Sequence, residues 1–249
     1  MVKYLDWLKE VPFAHRGYYN DIFPENSIGA FENAVKYGYG IELDVQYTKD
    51  NKVVVFHDDN LKRMTGNKGN VDELTYSEIN KLTLLNTNEK IPLLKDVLKV
   101  IDNRVPLLIE IKKCSQYISL SEDVYDITRN YKGNYSIQSF DPRIVKWYKD
   151  NASEVVRGQI SYTFEDILLK WYKKIVLKNM LLNFSTKPDY IAYGLKGINN
   201  SRVALLRKKM PILCWTIKDE DDMKKAYKYC DNIIFEGFSP KIVKRVDKK

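Results

Sequence analysis

Eight short apolar runs, each followed by a stretch of helical periodicity, constrain this chain more than any other feature. They lie near residues 12, 41, 107, 136, 157, 191, 213 and 233. Strand-length apolar runs alternating with amphipathic segments predict parallel strands joined by crossover helices. Eight such units in 249 residues match the size and strand count of a (β/α)8 TIM barrel. The competing arrangement is an open doubly wound sheet, which usually carries a glycine-rich phosphate turn after its first strand. No G-x-G-x-x-G stands there. The chain is therefore read as α/β, a TIM barrel, with residues 1–249 forming a single domain.

Residues 4–10 predict a short amphipathic helix with Tyr4, Leu5 and Leu8 on one side. The run Val11 to Ala14 predicts the first strand, which ends in His15-Arg16-Gly17. Pro24-Glu25-Asn26-Ser27 is a helix start, with Asn26 or Ser27 as cap, and Gly38 and Gly40 stop that helix. The run Ile41 to Val45 alternates in character, so Glu42 and Asp44 point to the same face of a strand. Val53 to Phe56 predicts an extra strand pairing at the rim, joined to the previous one by a turn at residues 49–52. Residues 60–98 are polar with short helical pieces, and are expected to form a small insertion after the second barrel strand. A closing helix is expected from Ser239 to Val246.

Lys+Arg total 41 and Asp+Glu 33, giving a net charge of +8. The lysines are scattered, apart from the final KIVKRVDKK, and do not interleave with aromatics as a nucleic-acid groove requires. No nucleic-acid partner is expected. Three cysteines without a C-x-x-C pair predict neither disulfides nor a zinc site, and point to a reducing compartment. The N-terminal MVKYLDWLKE lacks the apolar core of a signal peptide, and no window approaches the roughly 18–20 apolar residues of a membrane span. A cytoplasmic location is expected. Oligomeric state is not legible.

The chain has only two histidines, His15 and His57, and both fall at predicted strand ends. In a barrel, the C-terminal strand ends carry the active site. Arg16, Glu42, Asp44, Glu110 and Lys112 fall at or beside such ends on three neighbouring strands. Acids among apolar neighbours are costly unless paired, and three carboxylates from two strands make a hard-oxygen site for Mg2+ or Ca2+. Two imidazoles suit general acid–base work: one takes the nucleophile's proton and the other protonates the leaving group. Arg16 suits a phosphoryl oxygen, and a metal with Arg and Lys stabilises a phosphodiester transition state. These groups together indicate phosphodiester cleavage.

Taken in order, the motifs read His15-Arg16-Gly17, Pro24-Glu25-Asn26-Ser27, Ala30-Phe31, Glu42-Leu43-Asp44-Val45, Thr48, Asp50, His57-Asp58, Leu61, Arg63 and Thr65-Gly66. They continue with Pro92-Leu93, Ile109-Glu110-Ile111-Lys112, Gln138-Ser139-Phe140 and Trp215-Thr216. This ordered series, spanning nearly the whole chain, strongly resembles the glycerophosphodiester phosphodiesterase family, of the phospholipase C-like phosphodiesterase superfamily. The resemblance implies one divalent metal, Mg2+ or Ca2+, on Glu42, Asp44 and Glu110. It implies His15 and His57 as the acid–base pair, and Arg16, Lys112, Gln138 and Trp215 as substrate and phosphate contacts. The implied reaction is hydrolysis of a glycerophosphodiester to glycerol 3-phosphate and an alcohol. Lysophospholipase D-like cleavage of lysophospholipids on the same barrel is the alternative.

Two stretches depart from the pattern or exceed it. Glu236 stands where the family commonly has aspartate after its last strand. Residues 161–187 mix lysines with Trp171, Tyr172, Phe164 and several leucines. A barrel helix over 164–183 with its apolar face packed inward is the first expectation for that stretch. A lipid-facing lip making weak membrane contact is the second.

Overall fold

The computed structural model describes residues 3–241. Its strands are β1 (Phe13–Ala14), β2 (Gly40–Tyr47), β3 (Val53–Val55), β4 (Leu107–Ile111), β5 (Tyr135–Ser139), β6 (Val156–Ser161), β7 (Tyr190–Gly194), β8 (Ile212–Ile217) and β9 (Asn232–Phe235). They form one sheet in the order β1-β9-β8-β7-β6-β5-β4-β2-β3, and β1 also pairs with β2. Eight parallel strands thus close into the expected TIM barrel, with β3 outside the ring. The chain divides into two compact units, Ala14–Tyr135 and the described residues on either side of that span.

Within Ala14–Tyr135, the helix Ile28–Tyr37 starts where the Ser27 hydroxyl accepts the Ala30 N–H at 3.1 Å, and ends at Gly38, whose φ of 72° is left-handed. β2 is buried along its whole length. It turns back into the antiparallel β3 through a loop in which Lys52 donates its N–H to the Thr48 hydroxyl at 2.9 Å. On its other side β2 runs parallel to β4 with Asp44 opposite Glu110. Residues of the stretch 60–98 pack against β3 and the residue after it: Leu61, Met64, Val71, Ile79 and Ile91 share one buried cluster with Val54 and Phe56. The helix Leu94–Ile101 follows, with Leu94, Val97, Leu98 and Ile101 all buried at i, i+3, i+4 and i+7 spacing. The helical piece read at the end of the 60–98 stretch is thus an amphipathic helix with one buried face.

In the other unit, the expected helix over 4–10 is a single 3-10 turn, Asp6–Lys9. It buries Trp7 and Leu8 and leaves Tyr4 exposed. The Asn232 amide ties this turn down by donating to the Leu8 and Val11 carbonyls at 2.8 and 2.7 Å. Gly158 on β6 lies opposite Tyr190 on β7, and a Cβ on Gly158 would stand 2.3 Å from the Tyr190 ring. Tyr190 is fully buried and its hydroxyl donates to Gln138 Oε1 at 3.1 Å, so the ring has nowhere to move. Gly158→Ala is therefore expected to destabilise the protein by about 1–3 kcal/mol through overpacking. A fall in the urea midpoint at unchanged m-value is the measurement.

The stretch 161–187 corrects the first expectation for it. No long inward-packed helix forms. Phe164 and Met180 adopt left-handed φ values of 54° and 51°, which interrupt the helical register. What remains is Trp171–Lys178, in which no residue is buried, and a single turn Asn183–Thr186. The expected closing helix, Ser239 to Val246, lies from residue 242 onward outside the described residues. No helix among the described residues is long and apolar enough to cross a membrane.

Candidate active site

Side-chain alternation along β2 puts Glu42 and Asp44 on one face, and the parallel register puts Glu110 beside Asp44. One oxygen from each of the three carboxylates can be chosen so that all lie within 4.8 Å of one another. All three residues are buried. The segment after β1 is folded back on this cluster. Arg16 and Gly17 take left-handed φ values of 57° and 81°. That bend lets the Arg16 N–H donate to Glu42 Oε2 at 3.1 Å and the Gly17 N–H donate to the Glu42 carbonyl at 3.2 Å. At Gly17 the turn leaves no space for a side chain, because a Cβ would sit 3.0 Å from Ala30 and Phe31.

The cations are placed between the carboxylates. Lys112 Nζ lies 3.1 Å from Glu110 Oε1 and 3.5 Å from Asp44 Oδ1. Arg16 Nη1 donates to Glu25 Oε1 at 2.8 Å, and its Nε stands 3.7 Å from Asp44 Oδ2, buried and without a hydrogen-bond partner. Asn26, also left-handed at φ 56°, donates from its side chain to Asp44 Oδ2 at 3.1 Å. The cap of the following helix is therefore Ser27, and Asn26 belongs to the acidic cluster.

His57 follows β3 at the rim, where its Nδ1 is 2.7 Å from Asp58 Oδ1. The Gln46 side chain pins this rim by donating to the Phe56 and Asp58 carbonyls at 2.8 and 3.0 Å. Arg63 grips Asp58 with Nε and Nη2 at 2.6 and 2.9 Å, and Glu25 with Nη1 and Nη2 at 2.8 and 2.7 Å. An unbroken chain of charge-assisted contacts thus runs from His57 through Asp58, Arg63, Glu25 and Arg16 to Asp44.

Charge bookkeeping gives the cluster its character. Glu25, Glu42, Asp44, Asp58 and Glu110 are five acids, and Arg16, Arg63 and Lys112 are three permanent cations, so two negative charges remain (5 − 3 = 2). Glu42 and Glu110 bear this excess, Glu42 the more strongly. Burial, then repulsion from Asp44 and Glu110, pushes its carboxyl well above the ordinary carboxylate range. Burial likewise raises Glu110 against the pull of Lys112. Asp44 goes the other way. Burial would raise it, but Lys112, His57, Arg16 and His15 together hold it down to about 2. Burial also opposes ionisation of Asp58, and Arg63 and His57 bring that carboxyl to about 2. Three hard oxygen donors with two unbalanced negative charges fit one divalent cation.

Seven of the nine residues singled out from the sequence lie in this unit: His15, Arg16, Glu42, Asp44, His57, Glu110 and Lys112. The other two stand in the other unit. Gln138 lies on β5 and accepts from Tyr190. Trp215 lies on β8 among the edges of Phe140 and Tyr162, with a buried indole N–H that has no hydrogen-bond partner. Glu236, after β9, forms an ion pair of 3.0 Å with Lys218. Sequence reasoning left Glu25, Asp58 and Arg63 without roles in the site and read Asn26 only as a candidate helix cap. An acid directly after His57 was the visible signal for Asp58.

The glycerophosphoryl diester phosphodiesterase family model matches residues 15–236. The glycerophosphodiester phosphodiesterase of Caldanaerobacter subterraneus subsp. tengcongensis is 29% identical over 235 residues, covering 89% of this chain and 91% of that protein. Lysophospholipase D GDPD1 of Rattus norvegicus is 29% identical over 249 residues, covering 82% of this chain and 76% of that protein. Among solved structures, a glycerophosphodiester phosphodiesterase from Thermotoga maritima superposes with a TM-score of 0.71 at 28% identity, over 90% of this chain and 94% of its own.

Proposed function

The chain belongs to the glycerophosphoryl diester phosphodiesterase family, and from that premise we propose that it hydrolyses glycerophosphodiesters to glycerol 3-phosphate and an alcohol, using one divalent cation and a histidine pair. The buried Glu42–Asp44–Glu110 cluster with its two unbalanced negative charges carries this reading.

The three carboxylates hold the cation, Mg2+ or Ca2+, which when bound supplies Lewis-acid stabilisation of the phosphoryl oxygens. Arg16 presents a buried Nε without a hydrogen-bond partner in the protein, a donor for a phosphoryl oxygen. Lys112 adds a second positive charge beside Asp44 and Glu110. At the rim, Asp58 accepts from His57 Nδ1 and leaves Nε2 to carry the transferable proton. His15 and His57 divide the proton work. One accepts the proton of the attacking hydroxyl as the new P–O bond forms. The other delivers a proton to the departing alkoxide as the old P–O bond breaks. Water and the neighbouring glycerol hydroxyl are both competent nucleophiles for this arrangement. Gln138 and Trp215 are proposed as substrate contacts.

A panel of glycerophosphodiesters and lysophospholipids tests the substrate class. Release of glycerol 3-phosphate from glycerophosphocholine or glycerophosphoethanolamine is the expected result. The second reading, lysophospholipase D-like cleavage, is favoured by the likeness to the rat lysophospholipase D. Release of lysophosphatidic acid, with glycerophosphodiesters left intact, would replace the first reading by the second.

A further inference from the structure

The segment 167–184 contains none of the residues to which the proposed chemistry is assigned and has the composition of an interfacial element. It contains Lys170, Lys173, Lys174 and Lys178 and not one acidic residue. Eight of its large apolar side chains are exposed, while Met180 is buried. Leu168 is fully exposed, Trp171 is 74% exposed and Phe184 79%, with Tyr172 and Ile175 also on the surface. Of the fifteen large hydrophobic residues exposed among the described ones, eight fall in these eighteen positions. Lone exposed hydrophobics are ordinary, but a concentration of this kind marks a surface made to be covered.

The backbone beneath these side chains is held. The Ser161 hydroxyl donates to the Leu177 carbonyl at 2.8 Å, the Tyr193 hydroxyl to the Lys178 carbonyl at 3.3 Å, and Arg202 Nε to the Asn179 carbonyl at 3.1 Å. Anchored at its C-terminal end, the helix Trp171–Lys178 displays Trp171, Tyr172 and Ile175 outward, at i, i+1 and i+4. Trp and Tyr carry an apolar body with a polar edge, which suits the boundary between headgroups and acyl chains. Lysines around them can lay their methylenes on the apolar surface and keep their charge in the headgroup layer.

We propose that the segment 167–184 is a membrane-docking surface that seats on an anionic lipid bilayer, with the aromatic and aliphatic side chains entering the interface and the lysines pairing with lipid phosphates. Charge selects this occupant over a second copy of the chain. A two-fold interface would bring the same four lysines of each copy face to face, and the nearest acids in sequence, Glu165 and Asp166 just before the segment, are already engaged by Lys196 and Tyr162. An anionic headgroup layer complements both the lysines and the net charge of +8.

Flotation of the full chain with phosphatidylcholine–phosphatidylglycerol vesicles, and with phosphatidylcholine vesicles alone, tests this. Binding is expected to the anionic vesicles, weakening with added salt, and far less to the neutral ones. The W171A/F184A double variant is expected to lose binding. The K173E/K174E variant is expected to lose about tenfold or more in partition coefficient. Both should keep the wild-type circular dichroism and wild-type kcat/KM on a soluble glycerophosphodiester. That last readout separates failure of docking from failure of the proposed catalysis. No flotation with anionic vesicles would overturn the proposal, as would flotation that both variants retain. A concentration-dependent dimer that W171A/F184A abolishes would overturn it in favour of a second copy on this face.

Discussion

His57→Ala is expected to lower kcat on a glycerophosphodiester by about 10²- to 10⁴-fold, and His15→Ala by a similar factor, with both variants folded. The expected size follows from the role proposed for each imidazole. Without a proton acceptor the attacking hydroxyl is a poor nucleophile, and without a donor the departing alkoxide is a poor leaving group. Folding is expected to survive because neither ring belongs to the buried core. His57 is anchored from outside itself, through Asp58 and the Arg63 that grips Asp58 on two nitrogens. Loss in the double variant H15A/H57A should fall short of the product of the single losses if, as proposed, the two rings serve one proton-transfer sequence. Steady-state kinetics beside thermal melts monitored by circular dichroism is the measurement. Wild-type turnover in folded His57→Ala would remove the histidine from the mechanism.

Stripping divalent cations with EDTA is expected to reduce turnover by about 10²-fold or more, with recovery on adding back Mg2+ or Ca2+. Asp44→Asn should lose activity to the same degree and should not recover with added metal. A second readout does not depend on catalysis. A cation that binds only the folded state raises its melting temperature in proportion to the logarithm of its concentration, so Mg2+ or Ca2+ should shift the wild-type melt and leave Asp44→Asn where it was. The chelated protein also has a predictable pH dependence. Glu42 titrates above its unfolded value, because burial and then Asp44 and Glu110 oppose its charge. Between the ordinary glutamate pKa of about 4.3 and the raised value, the folded state holds more protons than the unfolded one. Stability of the chelated protein should therefore fall as pH rises through that window. Glu42→Gln should melt higher than wild type in EDTA and gain nothing from metal. Full activity after exhaustive chelation, or a wild-type melt indifferent to both ions, would exclude the cation from the site.

Much of this molecule could be read before any coordinates. The strand–helix rhythm specified the barrel because periodicity is a local property, set by which side of each element meets the core. The three strand-borne carboxylates were legible for the same reason. Glu42 and Asp44 share a face by simple alternation, and Glu110 sits on the strand that follows in the barrel rhythm. Where local pattern misled, tertiary context had intervened. Asn26 looks like a helix cap in sequence, yet its left-handed backbone turns the side chain to Asp44 and leaves the capping to Ser27. The 161–187 stretch has the apolar content of a core helix. Left-handed residues at Phe164 and Met180 break it, and the helix between them stays on the surface.

The residues that link the site were the least legible. Nothing local joins Arg63 to Glu25 across thirty-eight positions, or either of them to His57. Residue types and their order along the strands determined the fold class, the acidic cluster and the histidine pair. The three-dimensional chain alone decided how Arg16, Asn26, Glu25, Asp58 and Arg63 distribute charge around that cluster, and which apolar face was left uncovered. The division has a physical cause. Periodicity is written in neighbouring residues, whereas the pairing of buried charges depends on distances that exist only once the loops after β1 and β3 have folded over the carboxylates.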